Sequence, residues 1–144
     1  MTGEKAVLLT VVSRQQFQQE KPETTKLVTQ GVLRSIDGSF ELSYAESELT
    51  GLSGTTTTFR IEPSRLLLTR TGGVSSQMLF VPEQENASLY DMGFGALLVT
   101  VRTQELTVKL NENGGSITVR YAIAIEEETT GQISYRITVR PLPS

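Results

Sequence analysis

Ser116-Ile117-Thr118-Val119-Arg120-Tyr121-Ala122-Ile123-Ala124-Ile125-Glu126 and, a few residues on, Gln132-Ile133-Ser134-Tyr135-Arg136-Ile137-Thr138-Val139-Arg140 decide the fold. In the first segment Ile117, Val119, Tyr121, Ile123 and Ile125 share one side, with Thr118, Arg120 and Glu126 on the other. In the second, Ile133, Tyr135, Ile137 and Val139 oppose Ser134, Arg136, Thr138 and Arg140. Successive side chains of a strand point to opposite faces. Each segment is therefore a strand with one dry face and one wet face. Sequential hairpins built this way must hide the dry face, either by closing into a barrel or beneath a second sheet. Closure also removes the exposed edges.

Outward from this hairpin the same grammar continues. Runs rich in Val, Ile, Leu, Thr and Tyr are punctuated by Gly, Pro and Asn. Strands are expected over 6–16, 24–35, 39–47, 55–62, 65–71 and 75–81. A long one follows over 96–110 with a bulge near Gln104-Glu105, and the last two run over 116–127 and 132–140. Asp37-Gly38 and Asn113-Gly114-Gly115 read as hairpin turns, Thr130-Gly131 as another, Gly51 and Gly54 as part of a loop, and Pro141 and Pro143 as terminators. The stretch 87–94 is ambiguous, with a short helical turn as one option. The expected fold is all-β: a single antiparallel up-and-down barrel of about eight to ten strands, one domain over residues 1–144.

Composition excludes several classes of function. There is no histidine and no cysteine. That removes the commonest general base, the best nucleophile, thiolate or imidazole metal sites and a disulfide framework. No cofactor is expected. The net charge is -3 and the basic residues fall without a run or stripe; nucleic acid is not an expected partner. No apolar stretch approaches the ~18 residues of a membrane-spanning helix, and no membrane partner is expected. Ala6 to Val12 is apolar like a signal peptide, but Ser13-Arg14-Gln15 follows in place of a cleavage site, so it reads as a strand. The lack of cysteine fits the cytoplasm, which is the expected compartment. Glu126-Glu127-Glu128 reads as a solvated hairpin end rather than a metal site.

One constellation follows from parity. Phe40, Leu42, Tyr44 and Glu46 share the apolar, inner face of the third strand, and Leu66, Leu68 and Arg70 that of the fifth. These strands run the same way in an up-and-down barrel, so Glu46 and Arg70 fall at the same rim, roughly 10 Å apart between backbones. Thr57 lies on the strand between them. Tyr44, Glu46, Thr57 and Arg70 thus form a polar cluster at one mouth, and Phe80 and Tyr121 join them as candidate ligand-binding residues. Two uses remain open: a structural ion pair, or a ligand-orienting site in an apolar pocket.

Ser43-Tyr44-x-Glu46, Arg70-x-Gly72, Met78-x-Phe80, Met92-x-Phe94-Gly95-x-Leu97, Thr103 and Gly115-x-Ile117-x-x-x-Tyr121 together resemble the YwiB-like family of bacterial proteins of unknown function. Their order and spacing carry the match, from the second strand to the last. The resemblance implies a calycin-like, lipocalin-type barrel and brings no activity or site residues. By fold analogy it favours a small apolar or amphipathic ligand in the barrel, an anionic one among the options, with Arg70 as the orienting charge. A second reading is an interaction or structural module working through its surface or as a homodimer, since Ala6 to Val12 is apolar on both faces. A third is an enzyme, which needs a further polar group at the same mouth.

Overall fold

The computed structural model describes residues 2–47 and 52–142. These form ten strands and, among the described residues, no helix: β1 (Thr2–Phe17), β2 (Glu23–Ile36), β3 (Ser39–Ala45), β4 (Thr55–Glu62), β5 (Arg65–Gly72), β6 (Ser75–Phe80), β7 (Glu85–Asp91), β8 (Ala96–Asn111), β9 (Gly114–Ile125) and β10 (Thr129–Pro141). Each pairs antiparallel with its chain neighbours, and β1 pairs with β10 to close the barrel. The expected up-and-down closed barrel is therefore the observed one. Gly51 and Pro143, read above as a loop residue and a terminator, lie outside the described residues.

Alternation sets which face goes in. On β4, Thr55, Thr57, Phe59 and Ile61 are buried, and on β9 the buried set includes Ile117, Val119, Tyr121 and Ile123. β8 keeps its apolar side inward despite its length through the expected bulge: Thr103 pairs with Tyr121 and Glu105 with Arg120, leaving Gln104 as the extra residue. The inward set shifts there from Val99, Val101 and Thr103 to Leu106, Val108 and Leu110.

Several expected boundaries move. The stretch 87–94 holds no helical turn; Glu85–Asp91 is strand β7, with Asn86, Ser88 and Tyr90 half-buried and the residues between them exposed. The β9–β10 turn is not Thr130-Gly131, which already pair with Ala124 and Ile123, but Glu126-Glu127-Glu128. Glu126 and Glu127 take left-handed conformations there (φ 53° and 59°). The β8–β9 turn is Glu112-Asn113, since Gly114 pairs with Asn111. Gly115 sits in β9 because a Cβ there would collide with the Lys109 carbonyl. Pro141 does not end the sheet before it but is the last residue of β10, opposite Val7. Asp37-Gly38 is the expected turn, both residues at positive φ.

The core divides along the barrel axis. Toward one end Leu33, Leu42, Ile61, Leu66, Ile117 and Ile137 are almost wholly buried and fill the lumen. Toward the other, where β3 and β5 end and β8 begins, side chains leave space.

Candidate functional site

That space is a cavity of about 350 Å³. Its walls include Val11, Leu27, Val99, Ile123 and Ile133. All four tyrosines of the chain, Tyr44, Tyr90, Tyr121 and Tyr135, also line it. On β1 the inward positions change from Val7, Leu9 and Val11 in the core to Ser13 and Gln15 at the cavity. The lumen therefore becomes more polar as it opens.

Register explains how the polar groups meet. Tyr44, Thr57, Arg70, Ser76 and Tyr90 stand opposite one another in turn on β3 to β7. The next inward row, Leu42, Phe59, Leu68 and Met78, is apolar. A polar belt thus lies on the packed half of the barrel. At its centre Arg70 is 7% exposed and Glu46 8%, and Arg70 Nε lies 3.9 Å from Glu46 Oε2. Thr57 Oγ1 donates a short hydrogen bond to Glu46 Oε2. Arg70 Nη2 donates to the Tyr135 hydroxyl at 3.4 Å. The Tyr135 ring in turn stacks on Tyr121, centroids 6.4 Å apart and planes at 17°, and Tyr121 packs on Phe80 at 4.6 Å.

Burial, with the Glu46 carboxylate beside it, pushes the Tyr44 hydroxyl pKa far above the ordinary phenol value. Burial does the same to Tyr121, with Tyr135 adding to it. Both stay neutral donors. Burial opposes the Arg70 charge, but the Tyr135 hydroxyl and Glu46 outweigh it, and its pKa lies above the usual guanidinium value. The guanidinium is a fixed cation.

Tyr44, Glu46, Arg70 and Tyr121, expected from the sequence at one mouth, all line the cavity. Thr57 stands behind Glu46 and holds it; Phe80 lies beneath Tyr121 and is fully buried. Tyr135 was missed as a partner of Arg70, though its parity marked it as inward. A buried arginine and carboxylate with phenols around them can orient a polar group, and specify no reaction by themselves. Among the described residues no three carboxylates gather to hold a metal ion. Glu126, in the exposed acidic turn, instead accepts from the Leu98 amide.

Fold and site together define a closed ten-stranded antiparallel barrel with a tyrosine-lined cavity above a buried ion pair. The chain belongs to the DUF1934 family, described as a domain of unknown function, whose model matches residues 9–137. The crystal structure of the YwiB protein from Bacillus subtilis is similar at a TM-score of 0.77 and 21% identity, covering 94% of this chain and 92% of that one. At that identity the likeness shows the fold, and the resemblance to YwiB-like proteins holds. No curated protein matches the chain.

Proposed function

We propose that the protein binds a small amphipathic molecule in the barrel, its polar end at Arg70 and its apolar part against Leu27, Val99 and Ile133. One observation carries this reading: the lumen is open, about 350 Å³, beside the Tyr44, Glu46 and Arg70 cluster. Ligand pockets are concave, mostly apolar and furnished with a few fixed polar groups. A barrel built for stability alone gains by filling such a space, because protein interiors pack to crystal-like density.

We place the protein in the cytoplasm on its lack of cysteine. Nucleic acid is not part of the reading, since Arg34, Arg60, Arg65 and Arg120 each face a glutamate rather than forming a free basic face. The test is a thermal-shift and tyrosine-fluorescence screen against metabolites and lipids, repeated on Arg70→Ala. The chain has no tryptophan, so its ultraviolet emission comes from the four tyrosines lining the cavity. Hits weakened in the variant support the reading. No hits with the wild type, and a large stability loss in the variant, leave Arg70 a purely structural partner of Glu46.

The second reading, a homodimer, draws on Leu8 and Val12, which lie half-buried on the outside of β1, and on Val28 of β2, which is exposed opposite Thr10 between them. Sedimentation giving a monomer at all concentrations removes it.

A further inference from the structure

Charge inside the barrel cavity is balanced, and the balance constrains what can enter. Among the described residues that line it, Arg70 and Glu46 are the only charged ones. They face each other, Arg70 Nε 3.9 Å from Glu46 Oε2, and both are almost wholly withdrawn from water. The rest of the polar lining is neutral: Ser13 and Gln15 on β1, Thr25 on β2, and the tyrosines. Burial keeps the hydroxyls of Tyr44 and Tyr121 protonated.

Arg70 is engaged on two sides. Its Nε faces Glu46, and its Nη2 donates to the Tyr135 hydroxyl. A carboxylate or phosphate brought to Arg70 stands close to Glu46 as well, so attraction to one and repulsion from the other largely cancel. The cost of taking such an anion out of water is then not returned. At the rim Gln15 Nε2 donates to Glu23 Oε2 at 3.5 Å, and this further charge is negative too. An ammonium group meets the opposite difficulty, drawn by Glu46 and repelled by the fixed guanidinium. An uncharged group incurs neither cost. Hydroxyls and the Gln15 amide donate as well as accept, so they can meet an alcohol, a carbonyl or an amide.

We propose that the cavity selects uncharged molecules, an alcohol, carbonyl or amide on an apolar body, and rejects fatty-acid-like anions, because Glu46 neutralises Arg70. The inference rests on the proposed function above and names the ligand class for that same site. Of the options open from the sequence, it sets the anionic ligand aside. Four probes sharing one alkyl chain test it: octan-1-ol, octanamide, octanoate and octylammonium. Each is titrated against the full chain at neutral pH by tyrosine fluorescence.

Octan-1-ol and octanamide are expected to bind the wild type about tenfold more tightly than either ion. Any apolar pocket prefers the less soluble probe, so the deciding measurement is a change of ratio. Glu46→Gln keeps the size of the side chain and an acceptor for Thr57, and leaves Arg70 unbalanced. It is expected to raise octanoate affinity relative to octan-1-ol about tenfold, without improving octylammonium. Arg70→Gln is expected to favour octylammonium in the same way, and serves alone if Glu46→Gln does not fold. Either ion matching octan-1-ol on the wild type, or ratios that neither variant moves, overturns selection by charge and leaves the cavity reading standing. Failure of all four probes overturns the cavity reading and this inference with it.

Discussion

Arg70 and Tyr135 meet across the full width of the barrel. Their strands, β5 and β10, are five apart in either direction around the closed sheet, yet Arg70 Nη2 donates to the Tyr135 hydroxyl at 3.4 Å. The contact spans the lumen and separates the packed half from the open half. A hydrogen bond to a charged group contributes about 1.5–3 kcal/mol. At 3.4 Å this one is long, so Tyr135→Phe is expected to cost about 1.5 kcal/mol in urea unfolding. A cost near zero, with hits from the ligand screen binding as before, would show that the bridge does not organise the floor of the site.

The Glu46–Arg70 pair makes a sharper prediction. Both groups are more than nine-tenths buried, and removing one leaves the other charged without its partner. Arg70→Met or Glu46→Leu alone is expected to cost about 3–5 kcal/mol. The double variant replaces the pair with apolar groups and is expected to cost far less than the sum. A double-mutant cycle measures this coupling. Additive losses would mean that Glu46 is held by Thr57 and its other neighbours, and that the guanidinium adds nothing to its burial.

Alkaline pH should unfold the barrel through its tyrosines. The pKa values of Tyr44 and Tyr121 are raised in the folded state, Tyr44 by burial and Glu46, Tyr121 by burial and Tyr135. A raised folded pKa means that the native state holds the proton longer than the unfolded chain does. Stability is thus fully present below the unfolded value near pH 10 and falls as pH rises above it. Each group contributes a slope of up to about 1.4 kcal/mol per pH unit in that window. In a spectrophotometric titration the phenolate absorbance of these two tyrosines should appear only with loss of β-sheet circular dichroism. Four phenolates titrating while the sheet remains intact would contradict the burial of both rings.

How much of this was legible depended on whether the partners lie along the sheet or across it. Glu46 and Arg70 could be brought together from parity and strand direction, because a single strand, β4, separates them along the sheet. Tyr135 could not be matched to Arg70 that way: β5 and β10 meet through the lumen, and nothing in local alternation states the diameter of a closed barrel. β7 was obscured for a different reason. Its inward residues are Asn86, Ser88 and Tyr90, while Leu89 points out and is 61% exposed. The hydrophobic pattern is partly inverted, and this strand, the least readable from sequence, pairs with β6 at two positions only. The β9–β10 turn was misplaced because Glu126 and Glu127 adopt left-handed φ without a glycine or asparagine to signal it.

The division of the lumen predicts unequal costs for the same substitution. Leu68 is fully buried on the packed side of the polar belt. Leu68→Ala leaves a void that its neighbours cannot close, at a cost of about 2–5 kcal/mol. Ile125, half-buried, already borders open space at the mouth. Ile125→Ala enlarges an existing cavity and removes less apolar area from burial, so its cost should stay below about 1.5 kcal/mol on the same area scale. Filling should work in the opposite sense. Ser13 points into the cavity from β1, opposite Thr25 of β2 and Tyr135 of β10. Ser13→Phe has room for its ring, and burial of that ring contributes at most about 1.5–3 kcal/mol of stability. The same variant should abolish binding of the hits from the ligand screen by filling the cavity that Ser13 lines. If Ser13→Phe instead unfolds the protein while Leu68→Ala is tolerated, the open and packed ends of the barrel have been assigned the wrong way round.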